Sequence, residues 1–176
     1  RLQATTRDAH ADAEPGKILH EMRGGEMAAT QEVPFALYYG SIDSTPLFVM
    51  LAGAYLERTG DTETIRRLWP HLELALGWID AALAQDPRGF LSYARAVKTG
   101  LANQGWKDSH DSVFHADGRL ADGPIALVEV QGYVFAAFQA AARCAEALGR
   151  RDVAAARTEA AEAVRSRFEA AFWMPD

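Results

Sequence analysis

Ile65-Arg-Arg-Leu-Trp-Pro-His-Leu-Glu-Leu-Ala-Leu-Gly-Trp-Ile-Asp-Ala-Ala-Leu83 decides the fold. Ile65, Leu68, Leu72, Ala75, Leu76, Ile79 and Leu83 recur at steps of one, three and four, which puts them on one face of an α-helix. Pro70 either kinks that helix or restarts it. Just upstream, Leu47, Met50, Leu51, Ala54 and Tyr55 repeat the same period. Thr45 reads as the N-cap of this earlier helix, Pro46 as its first helical residue, and Gly60 as its stop. Two helices joined by the short step at Gly60-Asp61 make an αα-hairpin.

A second hairpin follows after a long gap. From Ile125 to Leu148 apolar residues cover almost every face, so this helix is expected to be buried on most sides. Gly149 ends it, and Asp152 can cap the next helix. There Val153, Ala156, Ala160, Val164, Phe168 and Phe172 form the apolar stripe, and Arg157, Glu159, Glu162, Arg165 and Glu169 the solvated face. The reading is all-α: helical hairpins of a solenoid or toroid, with long irregular connections carrying the site. No repeat of tetratricopeptide length recurs. Residues 1–40 are irregular, broken by Asp, Glu, Gly and Pro. Residues 86–124 form a connection of nearly forty residues, a length uncommon in a compact domain unless it is functional. Within it, Asp117-Gly118 reads as a turn closing a small hairpin.

Composition narrows the function. The 176 residues suit one domain, with 49% hydrophobic, 24% charged and 10% aromatic residues. A net charge of −6 and a pI near 5.4 argue against a nucleic-acid binder. Cys144 is the single cysteine, in an apolar helical run, so it reads as a packed core residue and not a nucleophile. No apolar run is long enough for a membrane span. The expected setting is cytoplasmic. Starting at Arg1 and stopping after Phe172-Trp-Met-Pro-Asp176, the chain reads as a piece of something longer.

The chemistry is concentrated in Asn103-Gln-Gly-Trp-Lys-Asp-Ser-His-Asp-Ser112, a Gly-broken loop with one tryptophan and two carboxylates. A sugar-cleaving enzyme needs an aromatic face for the pyranose ring and a carboxylic acid to protonate the leaving oxygen. Glu129 follows in Pro124-Ile-Ala-Leu-Val-Glu-Val-Gln-Gly-Tyr133, and Asp43 precedes in Tyr38-Tyr-Gly-Ser-Ile-Asp-Ser-Thr-Pro-Leu47. Each acid has a plainer reading. Asp108 could cap a loop turn, and Asp111, three residues on, competes with it for the acid's role; Asp43 could help cap the helix at Pro46, and Glu129 could sit in a salt bridge with Lys107 or Arg23. Glu14, Lys17, His20, Glu21 and Arg23 form a polar cluster that suits a surface loop or a substrate funnel equally. His20, His110 and Asp111 show no zinc-like spacing, so no metal and no cofactor is expected. His71 and His115 read as structural or solvent-facing.

Four blocks together carry a family resemblance: Glu14-Pro-Gly-Lys-Ile-Leu-His-Glu21, Tyr39-Gly-Ser-Ile-Asp-Ser-Thr-Pro46, Gly105-Trp-Lys-Asp-Ser109, and Pro124 through Tyr133. In that order the chain resembles the glucosidase domain of glycogen-debranching (amylo-α-1,6-glucosidase) proteins. Their inverting relatives include mannosylglycerate hydrolases and processing α-glucosidases. The resemblance implies a six-hairpin (α/α)6 toroid, of which residues 1–176 would be a fragment of one catalytic domain, about a third of the ring. It implies Asp108 as general acid, Asp43 gripping sugar hydroxyls in the −1 subsite, Glu129 on the sugar-binding wall and Trp106 as stacking platform. Lys107, Asp111 and Glu21 join them as substrate-binding residues. The family's general base is a glutamate in a later hairpin, and no segment here matches it.

The implied activity is inverting hydrolysis of an α-linked glucose, with an α-glucan or small α-glucoside as partner. Alternatives are another substrate on the same scaffold, such as mannosylglycerate, and a non-catalytic helical carbohydrate-binding module or scaffold. Alone, the 176 residues are expected to be catalytically inert and to self-associate through exposed edges, Val164, Phe168 and Phe172 among them.

Overall fold

A computed structural model describes residues 2–30, 32, 36–107 and 109–174. It is mostly helical. The elements run β1 (Glu21–Met22), α1 (Glu26–Ala29), β2 (Leu37–Tyr38), α2 (Ser44–Thr59), α3 (Thr62–Gln85), α4 (Val128–Ala147) and α5 (Arg151–Phe172). The four long helices form the two expected hairpins, α2–α3 and α4–α5, and α4 packs against all three of the others. No described helix is long and apolar enough to cross a membrane.

The first hairpin turns where the sequence says it should. Gly60 adopts the left-handed conformation at φ 67, which costs glycine nothing, and its N–H donates to the Leu56 carbonyl. Asp61 then caps α3, accepting from the Thr64 N–H at 3.0 Å and the Thr64 hydroxyl at 2.6 Å. These bonds stabilise the carboxylate and draw its pKa down to about 2. α3 runs unbroken through Pro70. The ring removes one N–H that would have reached the Arg66 carbonyl, but Trp69, Leu72, Leu76 and Ile79 on the buried face hold the helix together.

Two caps differ from expectation. Thr45 lies inside α2, fully buried, and its hydroxyl accepts from the Ile18 N–H at 3.1 Å, pinning the N-terminal segment to the helix. Asp43 occupies the N-cap position, which moves Pro46 to the third helical residue, still within the turn whose N–H groups lack helical partners. At α5 the N-cap position is Arg150, and Asp152 lies exposed in the first turn.

The core joins α2, α3 and α4, with Val49, Ile65, Trp69, Val130, Val134 and Phe138 almost wholly enclosed. α4 is apolar on most sides as expected, and Cys144 lies within it, its thiol pushed up to about 11 by burial. α2 and α4 approach closely at Gly53, where an added Cβ would stand 2.6 Å from that of Ala140. On α5 the buried stripe is Ala154, Ala161 and Val164, while Ala156 is exposed. Arg157, expected on the solvated face, is half-buried. It forms a bidentate pair with Asp80 at 2.8 Å and lies over the Phe138 ring, joining α5 to α3. The flank expected to stand open is also covered: Val164 is buried, and Phe172 packs on Phe90 and Phe168 with ring centroids 5.1 and 5.3 Å apart. Of the three, only Val164 is fully enclosed; Phe168 and Phe172 are half-buried.

Residues 1–40 are less irregular than their composition suggests, because β1 and β2 pair antiparallel with Glu21 opposite Tyr38. Among the described residues the long connection carries no helix. It is held by a bridge between Tyr93 and Ile125 and by the expected small hairpin, where Phe114 pairs with Leu120 around Gly118 at φ 83.

Candidate functional site

The connection between the hairpins has little regular structure of its own, so its backbone polar groups take partners from elsewhere. At Leu91 the partner is Gln131 in the first turns of α4. Its side-chain carbonyl accepts the Leu91 N–H at 2.9 Å, and its amide donates to the Leu91 carbonyl at 2.9 Å and the Leu127 carbonyl at 3.0 Å. Further along, the Leu101 N–H donates to the Tyr38 hydroxyl at 2.9 Å, and the Tyr93 hydroxyl donates to the Asn103 side-chain carbonyl at 3.1 Å. Gln104 is gripped twice: its carbonyl accepts from the Ile42 N–H at 2.8 Å and its amide donates to Asp12 at 2.9 Å. Asn103 and Gln104 are both buried.

These contacts bring the predicted segments together. Asp43 is one residue from the Ile42–Gln104 bond. It is buried, its carboxylate accepts from the Ser41 hydroxyl, and it makes no side-chain capping bond to α2. The acid thus stands at the N-cap position without a side-chain capping bond. Glu129 is half-buried in the first turn of α4, and its Oε1 stands 3.9 Å from where a Cβ on Gly105 would lie. The Leu127 Cδ1 lies 2.4 Å from the same place, so a side chain at residue 105 would displace the Leu127 methyl. The N-termini of α2 and α4 thus both abut the Gln104-Gly105 step, and the positive ends of their dipoles favour the two carboxylates there.

Trp106 projects from this step, 66% exposed, with the Lys107 ammonium 5.1 Å from its ring centroid. Beyond it the loop closes on itself: Ser112 donates from its hydroxyl to the Lys107 carbonyl at 2.6 Å, and the Asn103 amide donates to the Ser109 carbonyl. Asp108 lies outside the described residues. Asp111 is exposed on the same loop with no contact to Asp43 or Glu129 among the described interactions. Glu21 is paired with Arg23 and joins the site only through the β1–β2 pair, opposite Tyr38. No group of three or more metal-binding side chains occurs among the described residues.

A cleft of about 850 Å³ lies between α3 and the N-terminal segment; Glu14 and Lys17 of the predicted polar cluster line it with Ile42 and Gln104, whereas Asp43, Glu129, Glu21 and Asp111 do not. Apart from the exposed Asp122, its charged lining is paired. Arg7 pairs with Glu14, Arg88 with Asp86, Glu73 with Arg150, and the buried Lys17 donates to the Asp12 carbonyl at 2.9 Å. Burial holds the Lys17 ammonium below its usual pKa, against the pull of Asp12 and Glu14. The volume alone does not make this cleft the better site.

The sequence did not single out Asp12, Tyr38, Tyr93 or Gln131. A clue lay in Asn103-Gln104, two amides ahead of Gly-Trp, which need partners once buried. Tyr38 also makes a pH expectation. Burial, with the Asp12 charge assisting, raises its hydroxyl to about 12. An unfolded tyrosine ionises near 10, so between about pH 10 and 12 the unfolded chain has lost a proton that the folded chain keeps. Stability should therefore be undiminished below pH 10 and fall by on the order of 2 kcal/mol through that window. Urea midpoints measured across it should decline less steeply in Tyr38→Phe.

No family profile matches this chain, and no curated protein matches it.

Proposed function

We propose that this chain is the acid-bearing part of an inverting α-glycosidase of the glycogen-debranching type, acting on an α-glucan or small α-glucoside in the cytoplasm. One observation carries the reading. Segments far apart in sequence, Ser41–Asp43, Asn103–Trp106 and Leu127–Glu129, meet at the N-terminal ends of α2 and α4 with an exposed tryptophan at the junction. An aromatic face flanked by carboxylates is what a pyranose with its hydroxyls binds.

In this proposal the two hairpins belong to an (α/α)6 toroid, which would gather the connections of successive hairpins at one end. Trp106 stacks on the sugar, Asp43 and Glu129 accept from its hydroxyls, and Asp108 protonates the glycosidic oxygen as the bond to the anomeric carbon breaks. A base on the opposite face removes a proton from the attacking water, which inverts the anomeric centre. The similarity of blocks assigns that base to a hairpin not matched within residues 1–176.

The test is proton NMR of the products released by the full-length protein from maltose, isomaltose, branched dextrin and mannosylglycerate. Initial release of β-glucose from one of the glucosides supports the reading. Release of the α-anomer, or turnover of none of the four, would overturn it.

A further inference from the structure

We propose that Asp12 is the positioning residue of the tryptophan loop: its carboxylate, gripping Gln104 and Tyr38, sets the direction in which Trp106 leaves the fold. What this does for turnover rests on the glycosidase reading, whereas the positioning itself does not.

Asp12 is buried at 8% exposure and sits in the left-handed region at φ 55, the one such non-glycine residue among those described. Aspartate tolerates that conformation better than most residues, but it persists only where surrounding contacts hold it. They do so here at both ends. The backbone carbonyl accepts the Lys17 ammonium, and one carboxylate oxygen accepts both the Gln104 amide at 2.9 Å and the Tyr38 hydroxyl at 3.2 Å. Tyr38 in turn accepts the Leu101 N–H, so a single oxygen reaches the loop at residues 101 and 104. Gly100 leaves room for this, since a Cβ there would stand 2.9 Å from the Tyr38 hydroxyl.

The ring of Trp106 has little of its own to orient it. It is two-thirds exposed, and its one described ring contact is the neighbouring Lys107. Its direction is inherited from Gln104-Gly105, where Asp12 accepts from the Gln104 side-chain amide and the Ile42 N–H donates to the Gln104 backbone carbonyl. Placement errors of about 1 Å at a reacting centre cost up to about a hundredfold in rate, so an anchor 92 residues away in sequence can govern turnover without touching sugar.

Both donors go to the same oxygen, which separates acceptor from charge. Asp12→Asn keeps an acceptor in place, and Asp12→Ala removes it. The protein is labelled with 5-fluorotryptophan and its fluorine spectrum recorded, with Trp106→Phe and Trp173→Phe assigning the two exposed rings. Asp12→Ala should shift or broaden the Trp106 signal and leave those of Trp69 and Trp173 in place, while Asp12→Asn should match the parent. On whichever glucoside the protein turns over, Asp12→Ala should lower kcat/KM about tenfold or more, and Asp12→Asn should stay within about twofold. If Asp12→Ala does not fold, Gln104→Ala breaks the same contact from the loop side and should move the same signal.

An unmoved Trp106 signal in the variant that folds, or a shift of all the tryptophan signals together, would overturn the proposal. A moved Trp106 signal in a protein that cleaves no glucoside supports the positioning and removes the glycosidase reading instead.

Discussion

On the glycosidase proposal, Asp108→Asn is expected to lower kcat by about 10³-fold, while sugar affinity changes no more than a fewfold. An amide keeps the size and much of the hydrogen bonding of the carboxyl group but has no proton to deliver to a departing alkoxide. In that proposal binding rests on other groups, Trp106 for the ring face and Asp43 and Glu129 for hydroxyls. The effect should therefore fall on kcat and not on KM. Steady-state kinetics with an activated α-glucoside would separate the outcomes further. Such a substrate, whose leaving group needs no protonation, should recover much of the lost rate. A near-normal Asp108→Asn beside a dead Asp111→Asn would move the acid three residues along the loop.

The second large effect concerns stability. Gln131→Leu should destabilise the fold by about 2–5 kcal/mol, read as a lower midpoint with unchanged slope in urea. The side chain is 1% exposed in a helix that is otherwise apolar on most faces, so by hydrophobicity alone leucine would be an improvement. The hydrogen bonds reverse that judgement. Gln131 meets both the N–H and the carbonyl of Leu91, as a neighbouring strand would, and leucine would leave both groups buried without partners. A Gln131→Leu protein as stable as its parent would mean that the connection finds other partners at no cost.

The helices were legible because periodicity is a local property. The stripe from Ile65 to Leu83 needs only its own spacing, and Gly60 needs only its own freedom at positive φ. Misreadings came where a distant group outbid a local rule. Thr45 has the chemistry of a cap, but the Ile18 N–H claims its hydroxyl and leaves the N-cap position to Asp43. Arg157 belongs with the charged face of α5 by composition, yet Asp80 and the Phe138 ring draw it inward. Phe168 and Phe172 looked unpartnered because Phe90 lies in a connection with no period to announce it. Asp43, Trp106 and Glu129 were marked by residue type and context. The groups that bring their segments together were not. Tyr38, Asp12 and Gln131 act across 63, 92 and 40 residues, and no window of sequence contains both ends of such a bond.

The same separations bear on how the molecule comes into being. Hairpins such as α4–α5 can zip from contacts within one short stretch of chain. The connection of residues 86–127 has no helix to nucleate it, and it cannot be held before Asp12, Tyr38 and Gln131 are already in place around it. Closing loops of that length is the slow part of folding, because chain entropy is spent before the contact returns anything. The candidate site is therefore the last region to acquire its shape. During synthesis it must wait for α4 to leave the ribosome, although most of its own residues emerged long before.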